Sequence, residues 1–229
     1  MKTLGLIGGL SWYSTAVYYR TINQLTNQRL GGANSAKLLL YSVNFDEFKT
    51  LQDANEWPKI ADMMVDIAKR LEHAGADCIL MCTNTPHRVA DDVQKHIKIP
   101  LLHIAEETAK EIVKQKINKV GLLGTKFTME HSFFKERLLK NGIQVVIPDQ
   151  ADREFIHSSI FNELTKGVFK DDTKTTYLDI IDKLHKEAAQ GIIFGCTEIS
   201  LLINQADCDL PIFDTTIIHS TAAVDFALS

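Results

Sequence analysis

Four short segments carry the side chains that could do chemistry, and each follows a predicted strand and precedes a predicted helix. They are rich in glycine and in small hydroxyl, thiol or amide residues: Gly8-Gly9-Leu10-Ser11, Cys82-Thr83-Asn84-Thr85-Pro86-His87, Gly124-Thr125 and Gly195-Cys196-Thr197-Glu198. Ligands of open parallel sheets bind beyond the carboxyl ends of the strands, where backbone N–H groups of such turns hold carboxylates or phosphates. These turns are therefore the candidate binding segments.

Cys196 is the strongest candidate for a reactive group. It lies at the predicted end of a buried strand and directly before a helix, and a helix N-terminus lowers the pKa of a thiol. A free cysteine is also among the most commonly buried residues, so a structural role stays open. Cys82 is next to an equivalent turn, but neighbouring strand residues point to opposite faces. If Thr83 faces a ligand, Cys82 does not.

Other candidate groups have two interpretations each. Gly8-Gly9 lacks the third glycine of a dinucleotide fingerprint, and fits either a tight turn or an anion cradle. His87 and His103, near predicted strand ends, could contact a ligand or be satisfied core histidines. Lys166, before Gly167, could bind a carboxylate or be a solvated helix-end cation. The histidine and cysteine spacings do not resemble a zinc site, so no metal is predicted.

Composition excludes several classes of partner. The chain has 229 residues, a formal net charge of −4, 45% hydrophobic and 24% charged residues. Charges of both signs are dispersed, which favours neither nucleic acid nor an anionic membrane. No apolar run approaches the roughly 18 residues of a membrane span. Without an export signal, we expect a reducing cytoplasm and free thiols at all four cysteines: Cys78, Cys82, Cys196 and Cys208.

Short strand-like runs alternate with amphipathic segments along the whole chain, which predicts an α/β fold with parallel sheets flanked by helices. One such segment repeats apolar residues from Ile60 to Leu71 at helical spacing and ends at Gly75. The predicted strands are Thr3–Gly8, Lys37–Val43, Asp77–Cys82, Leu101–Ile104, Lys119–Gly124, Ile143–Ile147, Ile192–Cys196 and Leu210–Phe213.

An internal repeat divides this series into two halves. The helical face Met64, Ile67, Ala68 and Leu71 recurs 113 residues later as Tyr177, Ile180, Ile181 and Leu184. The same offset relates Ile79-Leu80-Met81 to Ile192-Ile193-Phe194 and Thr83 to Cys196, while the opening strands repeat at an offset of 116. We predict two pseudo-symmetric lobes: residues 1–100, completed by 210–229, and residues 101–209.

Taken in order, these motifs resemble the aspartate/glutamate racemase family over essentially the whole chain. The segments that carry the resemblance are Ile7-Gly8-Gly9-Leu10-Ser11-Trp12, Tyr18-Tyr19-Arg20-Thr21-Ile22-Asn23, Cys82-Thr83-Asn84-Thr85-Pro86-His87, Leu102-His103-Ile104-Ala105, Gly195-Cys196-Thr197-Glu198-Ile199, Phe213-Asp214-Thr215 and Ile218-His219. The resemblance implies an active site in a cleft between two α/β lobes, chemistry that needs no pyridoxal phosphate or other cofactor, and a homodimer.

The family's usual arrangement places one cysteine from each lobe on opposite sides of the substrate α-carbon. Here the position before Asn-Thr is Thr83, so the chain is most similar to a Thr/Cys subgroup that acts on L-aspartate or L-glutamate. That likeness implies Cys196 as the base toward the L-enantiomer and Thr83 as the opposing proton donor. It also implies a set of substrate-binding residues: Leu10, Ser11, Gln52 in the polar loop 50–53, Asn84, Thr85, Lys166, Thr197 and Glu198.

Two alternatives remain at this stage. Related chemistry on the same scaffold includes hydantoin racemisation, arylmalonate decarboxylation and maleate isomerisation, because a fold does not determine a substrate. A two-lobed protein that binds an acidic amino acid without catalysis is the other alternative, since a threonine occupies a cysteine's place.

Overall fold

A computed structural model describes all residues, 1–229, and divides into two compact units. The first lobe comprises residues 1–104 and 219–229, and the second lobe comprises residues 105–218. Each lobe contains a parallel β-sheet flanked by helices, so the predicted α/β class is confirmed.

The first lobe has a three-stranded sheet of order β2-β1-β3, in which both pairings are parallel. The central strand β1 is fully buried, as a parallel strand covered on both faces should be. The elements are β1 (Leu4–Gly8), α1 (Trp12–Leu30), β2 (Leu38–Ser42), α2 (Phe45–Asp53), α3 (Trp57–His73), β3 (Cys78–Met81), a 3₁₀ helix (Thr85–Val89) and α4 (Ala90–Gln94).

The second lobe has a four-stranded parallel sheet of order β5-β4-β6-β7. The final helix begins in this lobe and supplies residues 219–229 to the first. The elements are α5 (Ile104–Lys114), β4 (Lys119–Leu123), α6 (Lys126–Glu130), α7 (Ser132–Lys140), β5 (Gln144–Val146), α8 (Gln150–Asn162), a 3₁₀ helix (Leu164–Lys166), α9 (Asp171–Lys186), β6 (Ile192–Phe194), α10 (Ile199–Leu202), a 3₁₀ helix (Gln205–Asp207), β7 (Ile212–Asp214) and α11 (Thr215–Leu228).

The strand register reproduces the internal repeat. Gly5 of β1 pairs with Ile79 of β3, and Gly121 of β4 pairs with Ile192 of β6. These are the partners that the offsets of 116 and 113 residues relate. In both pairs the Ile Cδ1 atom lies over the glycine, within 3.0 Å of where a Cβ would be. The two central strand pairs are thus equivalent in sequence and in structure.

The repeated helical faces also have equivalent roles. Met64, Ile67 and Leu71 of α3 are buried, as are Tyr177 and Leu184 of α9 at the corresponding positions. The segment after α3 turns at Gly75, whose φ of +95° suits a residue without a Cβ. None of the helices combines the length and hydropathy that a membrane span requires.

Two sequence expectations differ from the structure. Residues 101–104 do not form a strand: Leu101 makes one isolated bridge to Ile79, and Ile104 already begins α5. The four-residue apolar run was too short to separate a strand from the start of a helix. The first lobe is completed by residues 219–229 rather than 210–229, because β7 pairs with β6 in the second sheet.

Candidate functional site

The turn from β1 to α1 is fixed by the fold. Gly9 has a φ of +78°, and a Cβ there would lie 2.1 Å from the Val43 carbonyl oxygen, so no other residue fits. Its backbone N–H donates to Thr15 Oγ1 at 2.9 Å. Because that donor is used within the turn itself, the geometry of Gly9 supports the tight-turn interpretation.

Leu10 and Ser11, both predicted to contact substrate, follow in the same turn. Leu10 is buried. Ser11 has a φ of 153°, unusual for a residue with a side chain, and such backbone strain concentrates at functional sites. Its hydroxyl caps α1 by accepting from the Ser14 N–H at 3.3 Å, and its carbonyl accepts from Thr15 Oγ1 at 3.0 Å.

Thr83 comes two residues after the end of β3. The backbone N–H and carbonyl of its neighbour Cys82 are both hydrogen-bonded. The Cys82 N–H donates to the Ile7 carbonyl at 2.9 Å, and the Ser14 hydroxyl donates to the Cys82 carbonyl at 2.6 Å. The Cys82 side chain is 1% exposed in the core cluster that includes Leu4, and burial raises the pKa of its thiol. Thr83 is partly exposed. The structure thus turns Cys82 inward, as strand alternation predicts.

Asn84 and Thr85 continue from Thr83 into the 3₁₀ helix Thr85–Val89. Asn84 is buried and Thr85 is partly exposed. His87 is also buried, its Nε2 lies 3.4 Å from the Met81 carbonyl oxygen, and its ring is 4.7 Å from that of His103. Both histidines are therefore packed inside the first lobe.

His219 was noted in the sequence only as part of a motif, and the structure shows it fully buried beneath this loop. Its Nε2 donates to the Leu102 carbonyl at 2.9 Å, so in the neutral ring Nδ1 accepts from the Tyr18 hydroxyl at 2.9 Å. Its ring centroid lies 5.4 Å from that of His87. Burial lowers the pKa of His219 to about 4, with a smaller contribution from nearby His103 in the same direction, and the hydrogen bond to Leu102 opposes part of this shift.

Cys196 occupies the equivalent place in the second lobe, two residues after β6. Its Sγ donates to Glu198 Oε2 at 2.9 Å, and Glu198 is 7% exposed. Burial raises the pKa of the Cys196 thiol well above its usual value, and the carboxylates of Glu198 and Asp214 raise it further. The prediction that a helix N-terminus lowers this pKa is wrong, because burial of the thiol and, to a smaller extent, two nearby carboxylates raise it, and α10 has only four residues.

Asp214, at the end of β7, is a charged group that sequence analysis did not assign a role. Its Oδ1 accepts from the backbone N–H groups of Thr216 at 2.8 Å and Ile217 at 3.2 Å, and its Oδ2 accepts from Ser200. Burial raises the pKa of Asp214 despite these hydrogen bonds. Its position after a strand and before a helix was the available signal.

The remaining predicted residues are dispersed over the two lobes. Thr197 is partly exposed beside Cys196. Gln52 lies in the last turn of α2 and not in a loop, because Asn44 caps that helix and Phe48 anchors it. Lys166 is exposed in a 3₁₀ turn that ends at Gly167, whose φ is +73°. No group of three or more histidine, cysteine or acidic side chains is arranged to hold a metal ion.

Comparison with known proteins places these features in context. The family model for Asp/Glu/hydantoin racemases matches residues 7–223. The broad specificity amino-acid racemase RacX of Bacillus subtilis is 24% identical over 219 residues, covering 93% of this chain and 92% of that protein.

Two solved structures are similar over 100% of both chains. One, from Yersinia pestis and described as a candidate Asp/Glu racemase, has a TM-score of 0.96 and 50% identity. The other, an aspartate racemase homologue from Pyrococcus horikoshii, has a TM-score of 0.92 and 36% identity.

Proposed function

Since this chain belongs to the Asp/Glu/hydantoin racemase family, we propose that it racemises an acidic amino acid, L-aspartate or L-glutamate, without a cofactor. One observation carries the proposal: Thr83 and Cys196 occupy the same position in the two equivalent strand pairs, each two residues past a buried strand. A proton donor and a thiol thus stand at corresponding points of two lobes.

Inversion at the α-carbon needs two groups, because a single residue would return the proton to the face from which it came. Cys196, as thiolate, removes the α-proton of the L-enantiomer. Thr83 donates a proton to the opposite face of the carbanion and gives the D-enantiomer. The Ser14 hydroxyl, bound to the Cys82 carbonyl, fixes the backbone that presents Thr83.

The polar turns support an acidic substrate. Charge accumulates on the carboxylate next to the α-carbanion, and preorganised donors must stabilise it as it forms. We assign this role to the backbone and side-chain donors of Asn84, Thr85 and Thr197. Gln52 and Lys166 are further candidates for binding the second carboxylate, and Leu10 and Ser11 are candidates for other contacts with the substrate.

The Thr/Cys pair makes the two directions kinetically unequal. A threonine hydroxyl donates or relays a proton but is a weak base near neutral pH, so removing the α-proton of a D-amino acid is slow. We therefore expect a higher kcat from L to D than from D to L. Because the equilibrium constant is one, the KM values must differ by the same factor.

The test is to incubate the purified protein with individual L-amino acids in deuterium oxide and analyse the products by chiral chromatography with mass detection. The proposal predicts D-aspartate or D-glutamate carrying α-deuterium. A D-enantiomer formed only from non-acidic amino acids would favour an amino-acid racemase of other specificity, since RacX is named for a broad one. In a parallel incubation, racemisation of a chiral hydantoin would favour hydantoin racemase activity. Tight binding of an acidic amino acid without α-deuterium would identify a binding protein and contradict the proposal.

A further inference from the structure

We propose that a second copy of this chain docks on the first lobe, with the two β2 strands antiparallel about a twofold axis at Leu40. In the first sheet β2 pairs only with β1, so the other edge of β2 is open. This strand, Leu38–Ser42, contains three consecutive leucines and neither a charged residue nor a proline. Charged residues and prolines are the usual protection of an open edge, so β2 is a strand that another strand can join.

The edge strands of the second sheet differ from β2. Both β5 and β7 have three residues, and β7 ends in the charged residue Asp214. Short edge strands and charges at an edge discourage pairing with another chain. The five residues of β2, of which Leu40 and Tyr41 are exposed, therefore make it the edge best suited to an interface.

The backbone of β2 presents the groups that a second β2 strand needs. The Lys37 carbonyl accepts from β1 and the Val43 N–H donates to β1, each at 2.9 Å, so the odd-numbered residues bond to β1. Leu38, Leu40 and Ser42 direct their N–H and carbonyl groups to the open edge, because these groups alternate between the two edges of a strand. With the axis at Leu40, that residue lies opposite its own copy and Leu38 lies opposite Ser42 of the second copy. Every outward backbone group then has a partner.

An aromatic stripe of α1 continues this surface. Trp12 and Tyr19 are 62% and 52% exposed, and they share one helix face with Ala16 and Asn23, since these positions are three or four residues apart. The Asn23 side chain accepts from the Ala36 N–H at 3.0 Å, just before β2 begins, so this face of α1 borders β2. Tryptophan and tyrosine are enriched in protein interfaces, and small Ala16 between them allows close approach of another helix.

Leu40 joins the strand edge to that stripe. Its side chain and the Thr15 side chain of α1 both lie over Gly8, so Leu40 is on the α1 face of the sheet, yet it is 44% exposed. In the proposed pairing the two copies of Leu40 lie side by side, flanked by the two α1 stripes. A twofold interface uses the same patch of both subunits, and an apolar patch centred on the axis is complementary to itself.

The charges at the two ends of β2 favour an identical antiparallel strand as the occupant. Exposed Lys37 precedes the strand, and exposed Asp46 follows it in the first turn of α2. Antiparallel pairing about Leu40 places Lys37 opposite Val43 of the second copy, beside the start of that copy's α2. Opposite charges therefore meet at both ends of the pair, whereas a parallel pairing would bring like charges together.

The first test places a charge at the axis. Because position 40 faces itself, Leu40→Glu and Leu40→Lys each bring like charges together, whereas a mixture of the two variants pairs opposite charges. By light scattering after size-exclusion chromatography, the wild type should have twice the chain mass of 25.7 kDa, each variant alone should have the chain mass, and the mixture should regain the doubled mass.

Leu139→Glu is the matched control, since it changes an exposed leucine of the second lobe and should leave the doubled mass unchanged. Circular dichroism checks the fold of each variant. A wild type with the mass of a single chain would overturn the proposal. A doubled mass that persists in both Leu40→Glu and Leu40→Lys would also overturn it, because the interface would then lie elsewhere.

A disulfide tests the register even if the charged variants do not fold. In Leu40→Cys the two Cα atoms would be about 5.5 Å apart, the spacing of antiparallel residues that exchange both hydrogen bonds, and a disulfide spans this distance. In Tyr41→Cys the two cysteines would be two residues out of direct opposition and too far apart to bridge. Mild oxidation should therefore crosslink Leu40→Cys, but neither Tyr41→Cys nor the wild type, on non-reducing gels. Equal crosslinking of the two variants, or none in either, would contradict the twofold axis at Leu40.

Discussion

The two lobes place different chemistry on equivalent strand ends. In the second lobe Cys196 lies among acidic groups, with Glu198 in contact and Asp214 nearby, and the pKa of its thiol is raised by burial and by these charges. In the first lobe Thr83 follows Cys82, whose backbone carbonyl accepts from Ser14, and the histidines of this lobe are packed in its interior, among them a neutral His219. The repeat therefore places Thr83 and Cys196 at equivalent strand ends, and the surrounding side chains give each residue a different electrostatic environment.

We propose that these two positions hold an asymmetric pair of proton-transfer groups. Under the proposed function Cys196 must lose its proton beside two carboxylates that oppose its ionisation, whereas Thr83 only donates a proton and needs a fixed position. The first lobe supplies that position through the Ser14 to Cys82 hydrogen bond and the pairing of Cys82 with Ile7.

The largest expected effect comes from removing the sulfur. Cys196→Ser should lower α-deuterium exchange and racemisation by about 10³-fold, because a serine hydroxyl is a far weaker base at neutral pH. Chiral chromatography with mass detection measures both quantities. Cys208→Ser removes another partly exposed thiol of the same lobe and should leave both rates unchanged. Equal losses in the two variants would contradict the role of Cys196.

Making the two positions alike should reduce the kinetic asymmetry. Thr83→Cys introduces a competent base in the first lobe, so kcat from D to L should rise and the ratio of the two kcat values should fall toward one, by about tenfold or more. Initial rates from each enantiomer measure the ratio. A ratio unchanged from the wild type would indicate that Thr83 does not set the direction.

The acid sensitivity of the fold should belong to the first lobe. Since burial lowers the pKa of His219 to about 4, its neutral form stabilises the native state fully above the unfolded pKa of about 6.5. This contribution, about 3 kcal/mol, is lost as the pH falls from about 6.5 to about 4. Urea denaturation across that range measures it.

The matched variants are His219→Gln and His73→Gln. His219→Gln should be less stable at pH 7 but should lose less stability on acidification than the wild type does. His73 is exposed, so His73→Gln should keep the wild-type dependence on pH. If both variants follow the wild-type curve, the buried histidine is not the source of acid sensitivity.

The smallest effect compares the two equivalent glycines of the central strands. A Cβ at Gly5 would meet the Ala76 Cβ at 2.8 Å and the Cys78 carbonyl oxygen at 2.9 Å, whereas at Gly121 it would meet two flexible Cδ1 atoms at 2.8 Å. Backbone atoms shift less easily than the ends of side chains. Gly5→Ala should therefore lower the free energy of unfolding by about 2 kcal/mol and Gly121→Ala by about 1 kcal/mol. The reverse order, measured by urea denaturation, would contradict this packing comparison.

Periodicity and repetition made much of the fold predictable. The equivalence of Ile79 and Ile192 followed from the sequence, because buried parallel strands constrain residue types strongly, and the structure pairs them equivalently with Gly5 and Gly121. The run at residues 101–104 was misassigned because four apolar residues suit a strand or a helix start.

The local chemistry was less predictable. The place of Thr83 and Cys196 after their strands was accessible from the repeat, but the raised pKa of Cys196 depends on the position of the Glu198 side chain and on Asp214, which is distant in sequence. The polar neighbours of Gln52 predict a loop, although Gln52 lies in the last turn of α2, which begins after its cap at Asn44 and ends at Asp53. Side-chain contacts of this kind are not encoded in spacing alone.

The most direct test of the paired mechanism uses Thr83→Ala with L-aspartate carrying α-deuterium, in ordinary water. With Cys196 intact and the opposing donor absent, we predict that the deuterium is replaced by hydrogen while the product remains L-aspartate, and that D-aspartate forms about 100-fold more slowly than in the wild type. Formation of D-aspartate at the wild-type rate would show that Thr83 is not the second proton-transfer group.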